Sequence, residues 1–343
     1  MDITNANKKG YAMKQIVNPY LPLNEYIPDG EPHVFGDRVY VFGSHDKENG
    51  EAFCLLDYAA YSAPVDDLTQ WTYEGVIYKK EQDPANTEGQ MMLYAPDVCQ
   101  GPDGRFYLYY CLNGLSKISV AVLDTPAGRY AFLGYVAYPS GQYLEENIPF
   151  DPAVLHDNGK VYVYYGFSPT NINIPGFISR DKILGCSFIE LEQDMLTVKQ
   201  GPTIVLPSET YSDGTGFEGH EYFEAPSIRK IDNLFYLIYS SVLSHELCYA
   251  ISAYRTKVLY IKGRLFLMVI LDIKAIWKRT RWRLLVIIMV VLNALTNNGM
   301  FFTIGIPMDI NLVAKDAQNP LSLMRKARLS RLRLARVGLT ENP

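Results

Sequence analysis

The chain has little of what several classes of protein require. Only five of its 343 residues are cysteine, an odd number without metal-ligand spacing: Cys54, Cys99, Cys111, Cys186 and Cys248. The first ten residues, MDITNANKKG, are polar throughout and contain no signal-peptide core. Reduced thiols and the lack of a visible leader predict a protein of the cytoplasm.

A long hydrophobic run is also missing. The uninterrupted apolar run Leu284–Leu292 has nine residues, with Arg283 before it and Asn293 after it. A membrane-spanning helix needs about 20 consecutive apolar residues. We therefore expect no membrane partner, and a protein anchored to lipid by its basic C-terminal part is kept only as a competing hypothesis.

Basic residues are scarce in the first three quarters of the chain. Residues 1–253 carry 16 Lys and Arg against 33 Asp and Glu, whereas residues 254–343 carry 16 against four. An acidic surface does not suit nucleic acid, because phosphates favour a basic one. It does suit carbohydrate chemistry, which depends on carboxylates.

What the sequence does contain is a repeat rich in aromatic residues. All 26 tyrosines lie at or before Tyr260, among β-branched residues and Gly and Pro punctuation, which favours an all-β fold. Four segments share a proline, a short strand, a polar turn and a second strand: GEPHVFGDRVYVFGS, APDVCQGPDGRFYLYYC, DPAVLHDNGKVYVYYGF and EAPSIRKIDNLFYLIYSS. Each turn carries residues that tolerate a positive φ, namely Gly36-Asp37, Asp103-Gly104, Asn158-Gly159 and Asp232-Asn233.

Further strand-like runs between the repeats, such as CLLDYAAYSA and KISVAVLD, bring each repeat to roughly four strands. This pattern predicts blades of a β-propeller. A β-sandwich also has short strands and polar turns and is the alternative. The acidic residues decide between the two, since they occur at the same point of successive repeats and would converge on a propeller axis.

Three repeats offer such a carboxylate: Asp29 in YIPDGEP, Asp151 in PFDPAV and Glu224 in YFEAPS. Hydrolysis of a glycosidic bond with inversion needs one carboxylic acid to protonate the leaving oxygen and one carboxylate to activate water on the opposite face. An isolated Asp before Gly or Pro is more often a turn residue. The shared register favours the catalytic interpretation.

In these motifs the chain resembles glycoside hydrolase family 43, the β-xylosidases, α-L-arabinofuranosidases and arabinanases, over residues of about 18–254. The resemblance implies a five-bladed β-propeller and oligosaccharide substrates. It implies that Asp29 is the general base and Glu224 the general acid. Asp151 would orient Glu224 and raise its pKa by like-charge proximity.

The resemblance also suggests residues that contact the sugar. The run YAPD, from Tyr94 to Asp97, matches the family's aromatic-Ala-Pro segment, with Tyr in place of the commoner Trp. Tyr94 and Phe150 are candidates for stacking on the sugar, or else core aromatics. Asp97 would bond a sugar hydroxyl or play a structural role. His220 lies near the proposed acid, where a structural histidine is the alternative.

No fifth repeat follows Tyr254, where the composition becomes basic and aliphatic. Loss of one base at the junction of Tyr254 and Arg255 would explain this change. Reading the other frame recovers a segment that contains HGGIECINKQWYVFYHR, which has the strand–turn–strand pattern of the other repeats. Trp and Met each have a single codon, so at these residues the first base of the shifted codon is fixed. The residues recovered there fit this reading: Glu from Trp277, Ala from Trp282, Gly from Met289 and Val from Met300.

The sequence therefore predicts blades one to four in residues 1–254 and a frameshifted tail without native fold in residues 255–343. In the resembled family a histidine of the lost segment commonly helps to hold a metal ion or a water molecule near the axis, and Ca²⁺ is the metal that the resemblance suggests. Here Ile288 and Met289 stand in its place, so we expect no metal site in this chain and no cofactor for the chemistry. An open propeller exposes a strand edge, so we expect poor stability and weak or no activity.

The resulting prediction is an inverting, exo-acting glycosidase of xylose- or arabinose-containing plant oligosaccharides, impaired by the frameshift. A non-catalytic propeller that binds sugars is the alternative. The choice between xylose and arabinose, and between exo and endo action, depends on loops whose shape the sequence does not give.

Overall fold

The computed structural model of the chain describes residues 20–21, 25–170, 182–231, 233–242 and 246–253, and three strands beyond them. The strands of the first two repeats are β1 Glu31–Phe35, β2 Arg38–Phe42, β3 Tyr58–Pro64, β4 Thr72–Tyr78, β5 Leu93–Gln100, β6 Phe106–Leu112, β7 Ser119–Leu123 and β8 Ala131–Tyr135. Those that follow are β9 Ala153–Asp157, β10 Lys160–Tyr165, β11 Gly185–Leu191, β12 Val198–Pro207, β13 Tyr222–Ile231, β14 Leu234–Ser241, β15 Leu247–Ser252, β16 Tyr260–Phe266, β17 Val290–Asn293 and β18 Met300–Thr303. Two short 3₁₀ helices lie at Lys80–Gln82 and Glu209–Tyr211. No helix in this part of the chain has the length and hydrophobicity to span a membrane.

The first sixteen strands form four antiparallel sheets, each a meander of four consecutive strands: β1–β4, β5–β8, β9–β12 and β13–β16. The predicted turns connect the first two strands of each sheet, as in the pairing of Phe35 with Arg38 across Gly36-Asp37. Glycine suits this turn because Gly36 has a φ of 63°. The predicted four strands per repeat are thus confirmed.

The first strand of each sheet lies at the centre of the molecule. Strand β5 contacts both β1 and β9, and β9 contacts β13. Four sheets whose first strands face one another in sequence order form a β-propeller rather than a sandwich. The all-β propeller and its first four blades are confirmed.

The predicted fifth blade and domain boundary fall on residues 255–343, most of which lie outside the described residues. Of these, β17 and β18 form an antiparallel hairpin, and β17 lies against both β1 and β13. No four-stranded fifth sheet is present in the part of the chain that the structure describes. Loss of the fifth blade therefore stays a prediction.

Tyrosines fill the space between neighbouring blades. Tyr58 and Tyr110 pack between blades one and two, Tyr109 and Tyr165 between blades two and three, and Tyr164 between blades three and four. All five are almost completely buried. The aromatic second and third strands of the repeats are therefore what joins each blade to the next.

Two of the four repeated prolines, Pro96 and Pro226, coincide with irregularities in the inner strands. The register of β5 against β6 shifts between Tyr94 and Asp97, and that of β13 against β14 shifts between Glu224 and Ser227. Proline has no N–H to donate, so it is tolerated where a bulge interrupts the ladder. The bulge next to Glu224 has a functional consequence, because it turns the backbone at the point where the carboxylate is attached.

Candidate active site

The three predicted carboxylates lie at equivalent points of three inner strands. Asp29 lies two residues before β1, Asp151 lies two residues before β9, and Glu224 is the third residue of β13. The backbone at Asp29 and Asp151 has a φ of 53° and 46°. Aspartate tolerates this left-handed conformation better than most residues do. The local backbone thus turns each carboxylate away from the ladder.

Asp29 is held by the hairpin that follows it. Its Oδ2 accepts a hydrogen bond of 2.7 Å from the Ser44 hydroxyl. A side chain on Gly43 would lie 2.6 Å from the carbonyl oxygen of Pro28, so the end of β2 approaches the Asp29 segment as closely as only glycine allows. Burial raises the pKa of Asp29 to about 6, while the Ser44 hydrogen bond opposes that rise.

Asp151 and Glu224 meet across the boundary of blades three and four. Both carboxylates are buried, with 6% and 7% of the residue exposed. The amide of Ala225 donates a hydrogen bond of 3.2 Å to Asp151 Oδ2, and Ala225 has a φ of 55° within the β13 bulge. The bulge therefore joins the acid-bearing strand directly to the neighbouring carboxylate.

The charges of the three carboxylates act on one another. Burial, and then the charges of Glu224 and Asp29, raise the pKa of Asp151 well above its usual range. Burial first, and then the charge of Asp29, raise the pKa of Glu224 to about 8. Three buried carboxylates this close cannot all ionise at neutral pH. The site therefore holds at least one carboxylic acid beside a carboxylate, which is the pair that acid–base hydrolysis uses.

Four half-buried aromatic rings form an arc beside these carboxylates. Tyr94 packs edge-on against Phe150 with 5.6 Å between ring centroids, Phe150 lies 5.0 Å from Phe167, and Phe167 lies 5.4 Å from Phe223. Phe150 and Phe223 directly precede Asp151 and Glu224 in the sequence. We define these four residues as the aromatic arc.

Hydrogen bonds of the segment after β10 place the middle of the arc. The amide of Gly166 donates to the carbonyl of Phe150 at 3.0 Å, and the amide of Ser168 donates to the carbonyl of Phe223 at 2.8 Å. Phe167 is therefore fixed between the two backbone segments that carry Asp151 and Glu224. A side chain on Gly166 would lie 2.6 Å from a carbonyl oxygen, so this position requires glycine.

Comparison with known proteins agrees with this geometry. The sequence model described as Glycosyl hydrolases family 43 matches residues 33–259. The chain belongs to glycosyl hydrolase family 43. The match ends near the point where the composition of the chain changes.

Curated relatives are xylosidase/arabinosidases. The chain is 58% identical over 248 residues to one from Thermoclostridium stercorarium, an alignment that covers 71% of this chain and 51% of the relative. It is 28% identical over 257 residues to one from Bacteroides ovatus, covering 67% of this chain and 75% of that protein. The chain therefore spans about half the length of the first of these relatives.

Solved structures share the fold. The GH43_1 enzyme from Xanthomonas citri complexed with xylose superposes with a TM-score of 0.58 at 24% identity, over 71% of this chain and 75% of that one. A β-xylosidase/α-arabinofuranosidase from a compost metagenome, in complex with xylotriose and in calcium-free form, gives 0.57 at 23% identity, over 73% and 80% of the two chains. Both support the propeller assignment of this family 43 chain.

The predicted sugar-contacting residues fall into two groups. Tyr94 and Phe150 belong to the aromatic arc, and Phe150 directly precedes Asp151, so both lie beside the carboxylates. Asp97 is 1% exposed, and its Oδ2 accepts a hydrogen bond from the amide of Val154 at 2.7 Å. These contacts favour the structural alternative for Asp97.

His220 also makes contacts away from the carboxylates. Its Nδ1 lies 2.8 Å from Glu246 Oε2, and its carbonyl accepts a hydrogen bond from the Tyr239 hydroxyl at 2.7 Å. None of the pKa shifts of the three carboxylates has His220 among its causes. The contacts of His220 with blade four again favour the structural alternative.

The calcium that the family resemblance implies has no suitable cage among the described residues near the inner strands. Glu31, His33 and Asp97 bring their ligand atoms within 4.8 Å of one another. However, Arg229 Nη2 lies 2.5 Å from Glu31 Oε2, and Asp97 Oδ1 already lies 2.6 Å from His33 Nε2. Ca²⁺ takes six to eight oxygen ligands. A cluster that contains an imidazole, and in which Glu31 is already paired with an arginine and Asp97 with the histidine, does not supply that shell of oxygen ligands.

Three residues of the site were not anticipated from the sequence. Ser44 holds Asp29, and Phe167 and Phe223 complete the aromatic arc. Glu31 pairs with Phe42 at the open end of the β1–β2 hairpin. Continuing this register by two residues on each strand places Asp29 opposite Ser44. The turn at Gly36-Asp37 fixes that register, so Ser44 was recoverable from the sequence. Phe167 lies after β10, outside the repeated motif, and no local pattern identifies it.

Proposed function

We propose that this family 43 chain derives from an inverting, exo-acting glycosidase that releases xylose or arabinose from plant cell-wall oligosaccharides. The observation that carries the proposal is the group of three buried carboxylates from three blades, in which burial and the neighbouring charges raise the pKa of Asp151 and of Glu224. The names of the curated relatives, xylosidase/arabinosidase, support the substrate class.

In the proposed reaction Asp29 accepts a proton from water, whose oxygen attacks the anomeric carbon. Glu224 gives its proton to the leaving glycosidic oxygen on the opposite face, so the configuration inverts. A base with a pKa of about 6 and an acid with a pKa of about 8 hold the required protonation states at neutral pH. Asp151, bonded to the amide next to Glu224, orients the acid. The aromatic arc offers ring faces for the sugar, and no cofactor enters the reaction.

We further propose that the chain is impaired because its last quarter is read in the wrong frame. The family match ends at residue 259, five residues after the proposed lost base. Each codon of the other frame joins bases of two printed residues, so the recovered GGIE overlaps Met289–Asn293 and the recovered YVFY overlaps Gly299–Thr303. These segments overlap β17 and β18, and β17 lies against β1 and β13, where the first strand of a fifth blade would lie. A blade assembled from the wrong residues would close the propeller poorly.

The test compares the 343-residue chain with a frame-repaired chain, in which the missing base is restored after codon 254. We expect the frame-repaired chain to hydrolyse aryl β-xylosides or α-L-arabinofuranosides, with the inverted anomer as the first product by NMR. The 343-residue chain should show weak turnover or none. Sugar binding without turnover by the frame-repaired chain would favour the non-catalytic propeller. Equal turnover by both chains would contradict the impairment.

The cellular location is also proposed rather than established. The five cysteines are buried and form no disulfide with one another. Unpaired buried thiols fit a reducing compartment such as the cytoplasm. Fractionation of the source cells, with activity on aryl glycosides in the soluble fraction as the expected result, tests this proposal.

A further inference from the structure

A second cluster of ligating side chains lies on blade four, outside the site described above. His220 precedes β13, Glu246 precedes β15, and Cys248 is the second residue of β15. Their ligand atoms all lie within 4.8 Å of one another. An imidazole, a carboxylate and a thiol are side chains that zinc binds, whereas Ca²⁺ and Mg²⁺ prefer oxygen alone.

The distances between the ligand atoms suit a small tetrahedral ion. His220 Nδ1 lies 2.8 Å from Glu246 Oε2, Cys248 Sγ lies 3.5 Å from the same oxygen, and Cys248 Sγ lies 3.9 Å from Nδ1. Zinc bonds of about 2.0–2.3 Å in tetrahedral geometry separate two ligands by roughly 3.3–3.6 Å. Each separation therefore needs a change of about half an ångström or less.

Burial of the cluster is that of a metal site with one open position. The side chain of Glu246 is 0% exposed and Cys248 is 0% exposed, whereas the side chain of His220 is 25% exposed. Solvent thus reaches the cluster from the histidine side, where a water molecule would complete the fourth position.

The surrounding backbone fixes the three residues in place. The amide of Ser241 donates to the carbonyl of Glu246 at 2.8 Å, and the amide of Val242 donates to the carbonyl of Glu221 at 3.0 Å. Cys248 pairs with Tyr239 in the β14–β15 ladder, and the Tyr239 hydroxyl in turn bonds the His220 carbonyl. The ligands therefore lie on elements that pack against one another without a metal, which lowers the ordering cost of binding.

We propose that His220, Glu246 and Cys248 form a zinc site that ties the loop before β13 to the start of β15. Binding exchanges the proton of the Cys248 thiol for the metal ion, so Zn²⁺ enters and one proton leaves to solvent. His220 lies four residues before Glu224, so the metal would stiffen the approach to the strand that carries the proposed acid. The proposal does not depend on glycosidase activity.

The test is a Co²⁺ titration of the metal-free 343-residue chain, followed by displacement with Zn²⁺. We expect one equivalent of Co²⁺, a thiolate-to-cobalt charge-transfer band, visible bands of a four-coordinate ion, and a higher Tm with Zn²⁺. Cys248→Ser should remove the charge-transfer band and weaken binding at least tenfold, which corresponds to about 1.4 kcal/mol. Cys186→Ser is the matched control, since Cys186 is equally buried in the same cluster between blades three and four. This substitution should leave the charge-transfer band and the affinity for the metal unchanged.

The frame-repaired chain carries the same three residues and takes the same titration if the 343-residue chain yields no folded protein. Absence of stoichiometric binding, or binding that Cys248→Ser leaves unchanged, would overturn the proposal. Either result would leave the glycosidase assignment intact, because the readout is metal binding and not turnover.

Discussion

The two faces of blade four differ in how well they are covered. On the face toward blade three, Phe235, Leu237 and Ala250 are buried in a cluster shared with strands of that blade. On the opposite face, Tyr236 and Ile251 are only half-buried, although they pair directly with each other across the β14–β15 ladder. Blade four is therefore complete toward its neighbour and less well covered on its other side.

The outward face of blade one has the same character. There Val39, Ala63 and Leu68 form a small cluster, with Val34, Val65 and Trp71 half-buried around it. The interface of blade one with blade two is much larger and includes Tyr40, Phe42 and Tyr58. In an array whose blades contact only their neighbours, each missing interface removes its own share of stability. The candidate active site is thus assembled on blades one, three and four, and the faces of blades one and four that a fifth blade would cover are the less well covered ones.

The largest expected effect concerns the candidate active site on blades one, three and four. In the frame-repaired chain, Glu224→Gln removes the proton that the leaving oxygen needs, so kcat/KM on an unactivated xyloside or arabinoside should fall by about 10²–10⁴-fold. Steady-state kinetics on both sugars measure it. Glu218→Gln, an exposed carboxylate in the preceding loop, is the control and should change little. Unchanged turnover in Glu224→Gln would assign the acid elsewhere.

The same substitution should stabilise the fold at neutral pH. The pKa of Glu224 is raised to about 8, above its value in the unfolded chain, so the charged form is disfavoured on folding. The resulting cost to folding stability is absent at pH values below the pKa of Glu224 in the unfolded chain. It grows as the pH rises toward the pKa of Glu224 in the folded chain. A neutral glutamine escapes it, so the Tm of Glu224→Gln should exceed that of the unsubstituted frame-repaired chain at pH 7 and match it near pH 4.

The third prediction compares the two faces of blade four directly. Leu237→Ala opens a cavity between blades three and four and should lower the free energy of unfolding by about 2–5 kcal/mol. Ile251→Ala on the opposite face should cost about 1 kcal/mol or less in the 343-residue chain. In the frame-repaired chain the cost of Ile251→Ala should rise, because a native fifth blade would cover it. Urea denaturation of Leu237→Ala and Ile251→Ala, each in the 343-residue chain and in the frame-repaired chain, measures these changes in the free energy of unfolding.

Equal costs of Ile251→Ala in the two chains would contradict the idea that the fifth blade is absent from one of them. Far-ultraviolet circular dichroism serves as the control, since all four variants should retain the β signature of blades one to four.

Sequence reasoning recovered the repeated architecture because each blade carries its own signals. Pro32, Pro96, Pro152 and Pro226 mark the inner strands, and the Gly- and Asn-containing turns set the hairpin registers. Those registers also brought Asp29, Asp151 and Glu224 to one place. The position of a motif in a repeat is therefore enough to predict convergence at the axis.

The repeat did not predict which contacts each side chain makes with the neighbouring blades. Asp97 occupies a motif position but is buried beneath the next blade, where the amide of Val154 bonds it. Phe167 enters the aromatic arc through backbone bonds to two other chain segments, far from its neighbours in sequence. Both depend on contacts between blades, which composition and spacing within one blade do not encode.

The smallest expected effect tests how Ser44 sets the pKa of Asp29, the proposed base. The Ser44 hydroxyl donates to Asp29 and lowers a pKa that burial raises to about 6. In the frame-repaired chain kcat/KM should fall below about pH 6, where Asp29 is protonated, and above about pH 8, where Glu224 loses its proton. Ser44→Ala removes the hydrogen bond, so the pKa of Asp29 rises and the acidic limb moves to higher pH.

The alkaline limb of the Ser44→Ala profile should stay in place, since Ser44 is not among the causes of the raised pKa of Glu224. Activity at pH 7 should fall by up to about tenfold, because a hydrogen bond to a charged carboxylate contributes about 1.5–3 kcal/mol and its loss leaves less of Asp29 ionised at this pH. Ser62→Ala, a buried serine on β3 that bonds Arg38, is the matched control and should shift neither limb. If Ser44→Ala moved only the alkaline limb, Asp29 would be the acid and Glu224 the base. The assignment of the site to the three carboxylates would stay the same.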